Sequence, residues 1–291
     1  MIVRALLVLA LALPSTAQTT EPAEPAPVPA AEPAPTQGVE VTFLANEGFL
    51  LRSGKYSILI DAFVREPVGV FGALPEELHK RLVNALSPFD ALTVVLVSHI
   101  HGDHLQVRSL EKFLGRNNQA QLLSSEQVLR AVHAGAKDFE AIGKRMTPIP
   151  LVKGAMKTLK EEGMSVSFFE LAHFNAPLED KEINLGHLIH LGGLKILHLG
   201  DAAPTPETFA AYDLPSLEVD LAIVPYWFFG TQQGVKVLFE RIRPRQVIMA
   251  HIPPANMDKL SSMMQEQFPD VVIFKEAMEE RTFLPAETRA K

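Results

Sequence analysis

The chain has 291 residues, 34 acidic against 27 basic side chains, a net charge of −7 and no cysteine. A disulfide scaffold and a thiolate metal site are therefore excluded, and the acidic balance argues against a nucleic-acid surface, which needs clustered Lys and Arg. A chain this long can bury its own core without covalent staples.

Residues 1–17 have the anatomy of a cleavable signal peptide: Arg4 as the charged start, Ala5–Leu13 as the apolar centre, and Ser15-Thr16-Ala17 as a small-x-small cleavage site. The apolar run is far shorter than the about 20 residues of a membrane span, so no stable membrane anchor is expected. Residues 18–38 alternate Pro, Ala and Glu without hydrophobic periodicity. Such a segment reads as an extended, unfolded linker. Residues 39–291 read as the folded part, one large domain or a pseudo-duplicated pair of halves.

Within it, Val39–Ala45, Phe49–Ser53 and Tyr56–Ile60 read as strands, with a tight turn at Ser53-Gly54-Lys55. Pro75–Leu86 reads as an amphipathic helix, with Leu78, Leu82 and Leu86 on one face and Glu76/Lys80 and Glu77/Arg81 pairs on the other. The β-branched run Leu92–Val97 reads as a buried strand. Helices are expected at Val107–Leu114 and Glu126–Val132, with a short strand at Gln121–Leu123 between them. Gly154–Leu171 reads as two strands turning at Glu161-Glu162-Gly163. Asn184–Leu191 and Leu194–Leu199 read as a hairpin about Gly192-Gly193, placing His187 opposite His198 and His190 opposite Lys195. A strand–helix–strand unit then follows over Val219–Val224, Val235–Ile242 and Val247–Ala250.

The chemistry concentrates in Ser98-His99-Ile100-His101-Gly102-Asp103-His104, directly after the buried run. Three imidazoles and a carboxylate in so short a loop are costly to bury separately, and a divalent cation satisfies them together. Open α/β sheets also place ligands beyond the carboxyl ends of their strands.

His99-x-His101-x-Asp103-His104 resembles the signature of the metallo-β-lactamase superfamily, and further matches follow in the family's order: His173, Asp201 after Leu199-Gly200, and His251 after Ile248-Met249-Ala250. The first strands and Ile58-Leu59-Ile60-Asp61 are similar as well, so the resemblance covers about residues 39–284. It implies an α/β, four-layer αββα sandwich: two mixed β-sheets face to face, flanked by helices, with the metals at one edge. It further implies that His99, His101 and His173 hold one metal, that Asp103, His104 and His251 hold a second, and that Asp201 bridges them. Asp103 is also the implied catalytic carboxylate, orienting the nucleophile or passing a proton to the leaving group. In the family fold Asn46, Glu47 and Gly48 would form a loop near the site, with a plain turn as the equal alternative.

Imidazole and carboxylate ligands suit Zn²⁺, with Fe or Mn as alternatives. Two such ions generate a metal-bound hydroxide and polarise the bond under attack. Asp61 is a candidate acceptor for the far N–H of a ligand imidazole. His187, His198, His79 and His133 read as structural, and His190 as too distant to contribute. Pro225–Gly230 is an aromatic loop whose Tyr226, Trp227 and Phe228 are candidates for an exposed patch contacting an apolar part of the substrate.

The function these features imply is an exported dinuclear hydrolase of a small-molecule ester, lactone, amide or phosphodiester. The bridging Asp201 resembles lactonases, thioesterases, phosphodiesterases and lactonase-like hydrolases more than the lactamase branch with a Cys ligand. One alternative is a mononuclear-iron persulfide dioxygenase, which needs only part of the ligand set. The other is a non-catalytic metal-binding module, which would ordinarily have lost ligands.

Overall fold

The computed structural model describes residues 38–175 and 182–286, so the expected signal peptide and all of the linker except Gly38 lie outside the described residues. Gly38 is already part of the fold: its N–H donates to Gly192 O at 3.1 Å and its carbonyl accepts from Ser53 Oγ at 2.7 Å.

The first sheet takes β1 (Val39–Ala45), β2 (Gly48–Ser53), β3 (Tyr56–Ile60), β4 (Val94–Leu96), β5 (Gln121–Ser125) and β6 (Met146–Ile149). Helices α1 (Glu76–Val83), α2 (Val107–Arg116), α3 (Glu126–Gly135) and α4 (Phe139–Gly143) intervene. The second sheet takes β7 (Lys157–Glu161), β8 (Met164–Leu171), β9 (Asn184–Leu191), β10 (Leu194–His198), β11 (Leu221–Pro225), β12 (Gln246–Ala250) and β13 (Val271–Ile273). With it come α5 (Pro206–Phe209), α6 (Gln232–Lys236, continued by a π turn over Val237–Ile242) and α7 (Met257–Gln267). The last strand, β14 (Glu280–Phe283), returns to the first sheet beside β1.

The sheet orders are β14-β1-β2-β3-β4-β5-β6 and β13-β12-β11-β10-β9-β8-β7, each half antiparallel and half parallel. Phe49, Ile58, Leu96, Phe168, Ile189, Ile223 and Ile248 fill the space between the sheets. The opposite faces are covered too: Leu50, Leu59 and Val95 pack on Leu82, Phe113 and Val128 of α1–α3, while Leu197 and Val224 pack on Phe209, Leu238 and Ile242. Strands apolar on both faces demand this arrangement, since each open face would otherwise leave its apolar rows in water. The four-layer αββα sandwich is therefore as expected.

Local departures have local reasons. The first helix stops at Val83, so Leu86 lies past its end and is exposed rather than on the apolar face. Glu76 does pair with Lys80 at 3.0 Å, but Arg81 turns away from Glu77 to the Ser87 carbonyl. The hairpin register is as read, with His187 opposite His198 and His190 opposite Lys195. His79 is buried and hydrogen-bonded to Ser109 at 2.8 Å, tying α1 to α2. His133 stacks edge-on against Phe139.

Candidate metal centre

The parallel strands end at one edge of the sandwich, and the functional side chains leave from those ends. Asp61 follows β3, the His99–His104 loop follows β4, Asp201 follows β10 and His251 follows β12, while His173 follows β8. The β1–β2 turn brings Asn46 and Glu47 to the same edge. Asn46, Asp61 and His251 all have positive φ, at 54°, 43° and 58°. These residue types tolerate the left-handed region best, and the strain is held in place by the packed strands behind.

The donors form two adjoining groups. In one, His99 Nε2 lies 3.0 Å from His101 Nδ1 and 3.3 Å from His173 Nε2. In the other, His104 Nε2 and His251 Nε2 are 3.1 Å apart, and Asp103 Oδ2 is 3.3 Å from His251 Nε2. Asp201 spans both: Oδ1 is 3.1 and 3.2 Å from His104 and His251, and Oδ2 is 3.5 Å from His173 Nε2. The structure thus brings together every residue expected as a metal ligand, in the expected division.

The far nitrogens show why these rings fit a cation. His104 Nδ1–H donates to Asp61 Oδ2 at 3.0 Å, His99 Nδ1–H to Ser98 Oγ at 2.9 Å, His101 Nε2–H to Glu182 Oε2 at 2.8 Å, and His173 Nδ1–H to Phe174 O at 2.7 Å. A neutral imidazole with one nitrogen committed as donor presents a lone pair on the other. The facing nitrogens are thus lone pairs about 3 Å apart, an arrangement that neutral rings stabilise only around a shared electrophile.

Without a cation, protons take its place. Burial disfavours charge on His104, but the Asp201 and Asp61 carboxylates override it and hold the imidazole well above its ordinary range. Burial likewise opposes charge on Asp201, and His104 and His251 override it, keeping the carboxyl well below its usual range. Asp61 behaves in the same way against His104. Glu47 is the exception: burial and then the Asp201 charge push its carboxyl well above the usual range.

Gly200 sets the aim of Asp201. Its φ is +52°, and a Cβ there would lie 2.3 Å from Asn184 Oδ1, the atom that accepts the Asp201 backbone N–H at 3.0 Å. Asn46 Nδ2 donates to Asp103 O at 3.0 Å and reaches Oδ2 at 3.4 Å, fixing that carboxylate.

The aromatic loop is not the exposed patch its composition suggests. Phe228 is fully buried against Phe209, so it belongs to the core under α5 and α6. Trp227 is also buried, donating Nε1–H to Ala202 O at 3.0 Å and stacking on Phe174 at 4.8 Å. The indole lies 4.9 Å from the His251 ring, so it backs a ligand. Tyr226 packs edge-on against Trp227. Further apolar side chains near His251 come from the β3–α1 loop: Phe71 meets His251 edge-on at 4.1 Å, and Val68 lies against Gly102. Sequence reasoning missed Phe71 and Glu182, whose flanking residues carry no ligand pattern.

Among the described residues, no helix is long and apolar enough to cross a membrane. The sequence matches the family described as "Beta-lactamase superfamily domain" over residues 56–267. A metal-dependent hydrolase of the UPF0173 group from Pyrococcus furiosus is 27% identical over 233 residues, covering 76% of this chain and 88% of that protein. The isothiocyanate hydrolase from Delia radicum gut bacteria shares the fold with a TM-score of 0.60 at 13% identity, covering 84% of this chain and 99% of that one. Igni18, a metallo hydrolase from Ignicoccus hospitalis, does so with a TM-score of 0.55 at 18% identity, over 84% and 98% of the two chains. With its fold, its donor geometry and a family match over most of its length, the chain belongs to the metallo-β-lactamase superfamily.

Proposed function

We propose that this protein is an exported, dinuclear metal-dependent hydrolase, most simply a zinc enzyme, acting on a small-molecule ester, lactone, amide or phosphodiester. The observation that carries the reading is Asp201, which turns one oxygen toward each group of imidazoles. A mononuclear-iron oxygenase has no use for the second group, Asp103, His104 and His251, and a retired binding module has no reason to keep both. The relatives named as metal-dependent hydrolases support the same reaction class.

His99, His101 and His173 would hold one cation, Asp103, His104 and His251 the other, with Asp201 shared. When bound, such cations acidify a water and polarise the oxygen of the bond under attack. Asp103, held by Asn46, would orient the nucleophile or pass a proton to the leaving group. Phe71 against the His251 ring, with Val68 beside Gly102 of the ligand loop, suits an apolar group beside the scissile bond. Export rests on the charged, apolar and small-residue segments of 1–17.

The test is metal content of protein purified without chelator, then hydrolysis of lactones, thioesters, β-lactams and bis-nitrophenyl phosphate. Two equivalents of metal with turnover of at least one substrate class is expected. A single iron, or two metals with no turnover anywhere in the panel, would reject the hydrolase reading. The mature N-terminus, read by mass spectrometry of exported protein, checks cleavage after Ala17.

A further inference from the structure

Glu47 is completely buried, and neither carboxylate oxygen has a hydrogen-bond partner among the described residues. An uncompensated buried carboxylate is among the costliest groups a fold can carry, so it demands a partner. Its surroundings supply none of the usual ones. The neighbouring acids Asp201, Asp61 and Asp103 repel it, and the His104 imidazole that attracts it is hydrogen-bonded to Asp61 instead. His198 Nε2 lies 3.5 Å from Oε2, but that N–H is already given to the Glu47 backbone carbonyl at 3.2 Å. The other ring nitrogen of His198 accepts from Gly200 N–H at 3.2 Å, which fixes the tautomer.

Two groupings of ligand atoms include Glu47. In one, Glu47, Asp61 and His198 lie within 4.8 Å of one another. That grouping has no ligand atoms to spare. Asp61 Oδ1 accepts from Ser98 N, its Oδ2 accepts from Ser98 Oγ and His104 Nδ1, and both nitrogens of His198 are committed. In the other, a Glu47 oxygen, an imidazole nitrogen of His104 and an oxygen of Asp201 lie within the same 4.8 Å. Here His104 and Asp201 belong to the donor groups already described, and the buried Glu47 brings a free oxygen within reach of both.

We propose that Glu47 is a further ligand of the cation held by Asp103, His104 and His251, added to the donors implied by the signature. The proposal rests on the dinuclear reading of the site but not on any hydrolytic activity. It explains why a carboxylate is buried without a donor while Asp61, equally buried, is fully hydrogen-bonded. Asp61 orients a ligand, whereas Glu47 is one.

The experiment compares wild type, Glu47→Gln and His198→Gln after equilibration with a zinc-buffering chelator, followed by absorption spectra of the fully cobalt-loaded proteins. Wild type and His198→Gln should retain two equivalents. Glu47→Gln should retain one, binding the second about 100-fold more weakly or worse, beyond what the loss of a merely orienting group usually costs. Its fully loaded cobalt spectrum should differ in the d–d bands, because one inner ligand has changed. The metal-free Glu47→Gln protein should melt close to metal-free wild type, since an amide of the same shape takes the place of the carboxyl. Two equivalents with an unchanged cobalt spectrum would overturn the proposal. So would a lost equivalent whose spectrum, once refilled, matches wild type, because Glu47 would then only orient. Should Glu47→Gln fail to fold, Glu47→Asp keeps the charge while withdrawing the oxygen by one methylene, and an unchanged spectrum there is equally fatal. Wild type that binds two metals yet hydrolyses nothing would reject the hydrolase reading and leave this measurement intact.

Discussion

Asp61 accepts the Nδ1–H of His104 directly, at 3.0 Å, with both side chains fully buried. Through the Ser98 hydroxyl, which it also accepts, the same carboxylate reaches His99. One acid thus orients an imidazole of each donor group. Asp61→Asn should keep the fold, because the amide oxygen still accepts, yet it offers an NH₂ where one N–H must be received. Metal affinity should fall by about 10–100-fold, and for both equivalents. Chelator competition measures it, and a loss confined to one equivalent would show that the Ser98 link to His99 carries nothing.

Gly200→Ala tests the aim of Asp201. The added methyl meets Asn184 Oδ1 at 2.3 Å and Ser98 Cβ at 2.8 Å, on a backbone with φ +52°. Relief requires Asn184 to leave the Asp201 N–H, which unfixes the shared carboxylate. The expected outcome is a stability loss of about 1–3 kcal/mol from the strained conformation together with weakened metal binding. Chemical denaturation and metal titration read the two effects separately, and an unchanged affinity would mean that Asp201 is held by other contacts.

The four ligands of the His99–His104 loop are legible in the sequence because they sit together in one short motif after a strand, whereas His173, Asp201 and His251 are legible only through the family resemblance. The hairpin register at His187 and His198 is legible for a similar reason: a two-residue Gly-Gly turn leaves a single pairing. What escapes is whatever depends on how distant loops fold back. Phe71 reaches His251 across 180 positions of chain, and Glu182 reaches His101 from just before β9. Phe228 reads as exposed because an aromatic run after a strand looks like a surface loop, while a tight 3₁₀ turn over Tyr226–Phe229 tucks that ring under the sheet. The position of Glu47 near the site is legible from the family resemblance, but its lack of any hydrogen-bond donor is visible only in three dimensions.

Phe71 and Trp227 both contact the His251 ring but are held differently, so their variants should separate. Phe71→Ala removes a ring from a loop whose neighbour Val70 is exposed, and should leave stability nearly unchanged. For substrates with an apolar group beside the scissile bond, KM should rise about tenfold with kcat within about twofold, the signature of lost uniform binding in an apolar pocket. Trp227→Ala opens a buried cavity and strips the Ala202 carbonyl of its donor, costing about 3–5 kcal/mol. Steady-state kinetics with paired apolar and small polar esters decide the matter. An unchanged KM for every substrate in Phe71→Ala removes this loop from the binding surface.

His187 should set part of the acid limit of the fold. Burial, and then the neighbouring His198 charge, push its imidazole down to about 3, and neither nitrogen has a hydrogen-bond partner among the described residues. The ring is held neutral between Phe168 and His198. In the unfolded chain the same imidazole titrates near its ordinary value of about 6.5, so below that pH the unfolded state binds the extra proton. The sign follows: above about pH 6.5 the residue costs nothing on this account, and stability is lost progressively as the pH falls toward about 3. By linkage the loss is about 2 kcal/mol at pH 5 and about 5 kcal/mol once the folded pKa is passed. His187→Leu removes both the titration and an unpaired buried N–H. In metal-free protein it should therefore be at least as stable as wild type at pH 7.5, by about 1 kcal/mol, and lose distinctly less between pH 6.5 and 4. Urea unfolding across that range gives both numbers. Parallel pH profiles for the two proteins would show that His187 keeps its ordinary pKa in the fold, and that water or a rearranged His198 reaches it there.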